Sequence, residues 1–128
     1  MSYTIDRTIT GASFDEVDKR TREALGQHGF GVLTEIDVQA TMKKKIGADM
    51  AGYRILGACN PQMAYKAIEI EPKVGAMLPC NVILREVDGG VEVSAVDPQA
   101  SMAGIENDRL IAVAGEVRDM LAEAVRAI

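Results

Sequence analysis

The sequence predicts an α+β domain, with a mixed, mostly antiparallel sheet of about five strands and helices packed mainly on one face. Three observations carry this. Runs of apolar/polar alternation recur along the chain, runs with helical period separate most of them, and Asp88, Gly89 and Gly90 stand between two alternating runs as the turn of a β-hairpin. The order is β-α-β-α-β-α-β-β-α. No linker, low-complexity tract or internal repeat interrupts it, so residues 1–128 read as a single domain.

The first strand covers about residues 2–9: Tyr3, Ile5 and Ile9 alternate with Thr4, Asp6 and Thr8, and Arg7 is the exception on the inward set. Ser13 with Glu16 three residues on forms a capping box. It opens a helix whose apolar face is Phe14, Val17, Thr21, Leu25 and His28, and Gly29 stands where a left-handed stop belongs. Phe30, Val32, Thr34 and Ile36 alternate into a second strand. Asp37 then caps a short helix with Val38, Met42 and Ile46 on one stripe, ended by Gly47.

Tyr53–Cys59 is strand-like and apolar on both sides, Ile55 and Cys59 on one and Leu56 and Ala58 on the other, as in a strand that is central or covered by a partner. Asn60 and Pro61 follow as N-cap and first-turn residue of a helix through Met63, Ala64, Ala67 and Ile68 that ends before Pro72. From Met77 the chain is again extended through Val87. Across the turn, Val91, Val93 and Ala95 complete the hairpin, Asp97 and Pro98 close the strand, and a polar turn leads to Asn107. The last helix carries Leu110, Val113, Val117, Leu121, Ala124 and Ile128 on one stripe and must cover a sheet face.

Composition narrows the function classes. With 19 acidic and 14 basic residues the net charge is −5, a repulsive average field for a phosphate backbone, so nucleic acid is not an expected partner. Lys43, Lys44 and Lys45, the one basic run, lie between Met42 and Ile46 and read as the solvated side of a helix. No segment approaches the ~20 apolar residues of a membrane span, and the N-terminal residues do not form a signal peptide; the expectation is a cytoplasmic protein with no membrane partner. Its two cysteines are then expected as reduced thiols. Seven methionines in a chain without tryptophan serve packing rather than metal binding.

The chemistry concentrates around the cysteines. Cys59 ends a strand just before a helix N-terminus, where free amides and the positive end of the dipole favour anions and lower a thiol's pKa. Cys59, Asn60, Gln62 and Met63 are therefore the candidate ligand-binding residues. Cys80 shares a face with Val82 and Leu84 and reads as buried. The two cysteines lie too far apart in sequence for a CxxC pair, and two thiols do not complete a zinc site, so no metal and no cofactor are expected. As a class, free cysteines are most often small buried hydrophobes. His28, the single histidine, sits at a helix C-terminus, where it reads as a core-edge residue near the last carbonyls. No acid/base pair, GxSxG motif or phosphate-cradling loop marks a catalytic residue.

The segment GACNPQMAYKAIEIEPKVGAMLPCNVILRE, with KKKIG at positions 43–47, the acidic-glycine hairpin and the pair Asp97 and Pro98, resembles the domain of unknown function family 302 over nearly the whole chain. The matching motif positions are Gly57, Cys59, Asn60, Pro61, Pro79, Cys80, Asn81, Asp97 and Pro98. The resemblance implies an α+β sandwich that tends to form homodimers. It supplies no reaction, cofactor or catalytic set. Gly57 and Pro61 have backbone reasons of their own.

The expected function is a small soluble homodimeric domain that binds a small, anionic ligand at the helix N-terminus after Cys59, with no enzymatic role favoured. Two other readings stand beside it: a thiol-dependent enzyme or carrier using Cys59, with Cys80 as resolving partner, and a structural module whose purpose is dimerisation through the two-sided apolar strand at Tyr53 to Ala58.

Overall fold

The computed structural model describes residues 2–128. One five-stranded sheet holds β1 (Thr4–Ile9), β2 (Gly31–Asp37), β3 (Tyr53–Cys59), β4 (Cys80–Val87) and β5 (Gly90–Val96) in the order β1-β5-β4-β3-β2. All four pairings are antiparallel, so the parallel component expected of a mixed sheet does not occur among the described residues. The helices are α1 (Phe14–Gln27), α2 (Val38–Ile46), α3 (Pro61–Ile70), α4 (Pro98–Ser101) and α5 (Asp108–Arg126), with a 3-10 helix at Pro72–Met77.

The alternation sorts each strand between a packed and an open face. Leu56 and Ala58, Val82 and Leu84, and Val93 and Ala95 are all fully buried under the helices. Registers such as Leu56↔Val82↔Ala95 place them side by side. Burying one such Leu or Val contributes roughly 1.5–3 kcal/mol. From the helices, Val17, Leu25, Leu110 and Leu121 complete the core at 2% exposure or less. Tyr53, Ile55, Ile83, Arg85 and Val96 point the other way and are half-buried or exposed.

Caps and stops fall where local chemistry sets them. Ser13, Asp37, Asn60, Asp97 and Asn107 each accept a backbone N–H in the first turn of a helix. Gly29 takes φ 86° and ends α1 with the paired bonds of a Schellman motif, Phe30 N to Leu25 O at 2.9 Å and Gly29 N to Gly26 O at 3.4 Å. The Arg7 exception resolves as well. Its guanidinium reaches the last turn of α5 and donates to the main-chain oxygens of Val125, Arg126 and Ile128, satisfying carbonyls that a helix end leaves free.

Three local expectations change. The fourth strand begins at Cys80 rather than Met77, because Pro72 starts a 3-10 helix that consumes the intervening residues. The turn after Asp97 contains α4, nucleated by the Asp97 carboxylate and Pro98. The stripe of α2 is mostly open: none of its residues is fully buried, Val38 is half-buried, and Met42 and Ile46 are 36% and 73% exposed.

Candidate functional site

The sequence-predicted corner forms where β3 runs into α3. Asn60 Oδ1 accepts from Met63 N at 3.0 Å, and the Asn60 carbonyl accepts from Ala64 N at 2.9 Å. Pro61 has no N–H. Of the first-turn amides only that of Gln62 is left for a ligand, and the side chain of Gln62 is exposed. On its other side, Asn60 lies against the end of α1: a Cβ on Gly29 would come within 3.0 Å of Asn60 Nδ2. Gly29 thus serves both the left-handed stop and this close approach.

Below the corner a pocket of about 350 Å³ opens between α3, α5 and the sheet. Its walls are almost wholly apolar. Ala58 and Cys80 come from the sheet, Met63, Ala64 and Ala67 from α3, and Val113, Ala114 and Val117 from α5. Cys59 and Asn60 line it at the corner. At the rim stand Leu33, in the bulge between Val32 and Thr34, and Ile68; they are 68% and 42% exposed. Pro98 and Met102 of the α4 segment add to the wall, so this short helix, which sequence reading missed, contributes to the site. The one signal for α4 was the Asp97–Pro98 pair, a cap followed by a first-turn proline.

The thiols are unlike each other. Both are free, Cys80 buried and Cys59 half-buried. Burial, with a smaller contribution from the nearby Cys59, pushes the Cys80 thiol up to about 11, so it stays protonated at neutral pH. Cys80 faces Ala58 across the ladder, which puts Cys59 one residue further on, in the opposite phase of the pleat. Both nevertheless border the same pocket, and neither is in a disulfide.

The remaining motif positions are explained by packing. A Cβ on Gly57 would collide with Thr34 Oγ1 and lie 2.7 Å from Pro79 Cγ, so glycine here lets those two side chains close over β3. Asp97 caps α4 and also accepts from Arg118 Nε of α5 at 3.0 Å. Asn81 is exposed on the helix-free face, beside a second, wider and more polar depression that includes Tyr53, Arg85 and Glu92. His28 donates from Nδ1 to the Ala24 carbonyl at 2.8 Å, one turn back in its own helix. Among the described residues, no group of three or more His, Cys, Asp or Glu is placed to hold a metal ion, and no helix is long and apolar enough to cross a membrane.

A charged cluster lies elsewhere, under α1. Asp18, 9% exposed, accepts from Arg22 Nε at 2.7 Å and from Arg54 Nη1 at 2.9 Å, and Glu35 joins both arginines. Arg54 also stacks 5.0 Å over the Phe14 ring. Burial alone would raise the Asp18 carboxyl, but the hydrogen bonds and charges of the two arginines outweigh it and hold the carboxyl below its ordinary value of 3.8. Every member of the cluster is matched, as in a structural clamp between α1, β2 and β3.

Comparison with known proteins leads to one family. The crystal structure of an uncharacterized conserved DUF302 protein from Bacillus stearothermophilus superposes with a TM-score of 0.92 at 25% identity, covering 99% of this chain and 98% of that one. None of the curated proteins matches the chain. The model of the family described as domain of unknown function DUF302 matches residues 5–128. The chain therefore belongs to the DUF302 family.

Proposed function

We propose that this domain is a small-molecule-binding module whose site is the pocket between α3, α5 and the sheet, with Cys59, Asn60 and Met63 at its edge. The observation that carries the reading is the pocket itself. A well-packed core of this size leaves few voids larger than a water molecule, whereas this one holds about 350 Å³, within the range of ligand sites. The pocket is partly open to solvent, with Leu33 and Ile68 among its exposed lining residues, so a guest needs no unfolding to enter. We place the domain in the cytoplasm, where thiols stay reduced.

The test is a fragment screen on protein carrying 13C-methyl methionine, since Met63 and Met102 both line the pocket. Fragments that shift these two methyl resonances support the reading. A screen whose hits all map to the Tyr53 and Arg85 depression, leaving both methyls unmoved, removes it.

The module is proposed to work as a homodimer. Supporting this, Ile55, Ile83 and Val96 lie on the sheet face opposite the buried Leu56, Val82 and Ala95 and stay only half-buried among the described residues, and antiparallel sheets pack readily face to face. Light scattering that returns the monomer mass at the highest attainable concentration discards the dimer and leaves the pocket reading intact. A thiol-dependent reaction has less behind it, because burial keeps the Cys80 thiol protonated at neutral pH, which makes it a slow resolving partner.

A further inference from the structure

Resting on the pocket reading above, we infer that the guest is an uncharged, compact, apolar molecule of roughly a dozen non-hydrogen atoms, scaling from the 150 Å³ cavity that holds benzene. The charge follows from what lines the site. Among the described residues none of the lining side chains is a lysine, arginine, histidine, aspartate or glutamate. An ionised group entering such a space loses its hydration and finds no counter-charge.

The helix N-terminus does not supply one. Pro61 lacks an N–H, Asn60 takes those of Met63 and Ala64, and a single Gln62 amide remains, whereas anion sites at helix ends use several converging amides. The Cys80 thiol, pushed up to about 11 by burial, is a further neutral part of the wall.

The shape follows from residue size. Ala58 on the sheet, Ala64 and Ala67 on α3, and Ala114 on α5 all border the same space, so methyl groups stand where larger side chains would otherwise meet. Ala58, Ala67 and Ala114 are at most 5% exposed, so this part of the wall belongs to the buried core. A rounded or flat ring system fits such a chamber better than an extended chain does.

Two pairs of probes with matched carbon skeletons test this on the full chain at pH 7: adamantan-1-ylmethanol with adamantane-1-carboxylate, and 1-naphthylmethanol with 1-naphthoate. Binding is read from the Met63 and Met102 methyls in the wild type and in Ala64→Leu, which fills the chamber. If Ala64→Leu does not fold, Ile68→Trp at the exposed rim takes its place. The expected result is that an alcohol binds at least about tenfold tighter than its carboxylate, and that the filled variant loses that binding. Carboxylates binding as tightly as the alcohols, through the same methyls, overturn the uncharged guest and leave the pocket reading standing. If no probe moves the methyls and Ala64→Leu turns a wild-type dimer into a monomer, a second copy of the chain is the occupant and the inference fails. If no probe binds and the mass is unchanged, inference and pocket reading fail together.

Discussion

The two halves of the helix layer are built from the same kinds of elements and packed in opposite ways. Under α1, Val17, Thr21 and Leu25 are buried to 2% or less, and Thr21 Oγ1 returns a hydrogen bond to Val17 O at 2.7 Å. The edge of that half is sealed by the Asp18, Arg22, Arg54 and Glu35 clamp. Between α3 and α5, alanines border a space of about 350 Å³ with an apolar mouth. Side-chain volume at facing positions, not secondary structure, decides which half is filled. The filled half holds the sheet to the helices, and the open half is where the ligand site is proposed.

The largest expected effect lies in the clamp. Asp18→Ala leaves Arg22 and Arg54 with Glu35 alone, and breaking a largely buried ion pair of this kind is expected to cost about 3 kcal/mol in urea denaturation. Because the folded pKa of Asp18 is depressed, its contribution is full above the unfolded value and is lost as pH falls through the lower folded one. The stability gap between wild type and Asp18→Asn should therefore be constant near neutrality and shrink only below about pH 4. A gap that closes instead between pH 5 and 7 would assign it to some other group.

Next comes the contrast between thiols in the open half. At pH 8, Cys80 should alkylate roughly a hundredfold more slowly than a free cysteine, since its thiolate is scarce, and the half-buried Cys59 should be modified first. Mass spectrometry of the singly modified protein that finds the label on Cys80 contradicts the assignment of Cys80 to the pocket wall.

Gly57→Ala probes the seam where Thr34 and Pro79 close over β3. The Thr34 hydroxyl can rotate away, but the Pro79 ring has less freedom, so the added methyl is expected to cost about 2 kcal/mol. Equal stability of wild type and Gly57→Ala would mean that the seam is loose.

Local chemistry made most of the framework legible. Asp88, Gly89 and Gly90 placed the β4–β5 hairpin, Ser13 and Gly29 bounded α1, and Asn60 with Pro61 opened α3, because caps and turns are settled within a few residues. What was missed is long-range or too short to have a period. α4 has four residues, less than a pattern needs. The Asp18–Arg54 contact joins positions 36 apart, and nothing local to either announces it. The stripe of α2 was legible as a periodicity, but periodicity says nothing of what covers the stripe. At the candidate site, Cys59, Asn60, Gln62 and Met63 were legible as a strand end running into a capped helix. The pocket was not, because it depends on α3 and α5 approaching across alanines whose small size means nothing until they face one another.

The account rests on one half being full and the other open, and a matched pair of substitutions measures this directly. Ala24, on α1, is 3% exposed in the filled half, and Ala64, on α3, borders the pocket. Urea denaturation of Ala24→Leu should show a loss of about 2 kcal/mol from overpacking, while Ala64→Leu should stay within about 0.5 kcal/mol of wild type or gain stability. Equal losses at the two sites would show that the space beside α3 is as tightly packed as the rest, and the site proposed there would have no room for a guest.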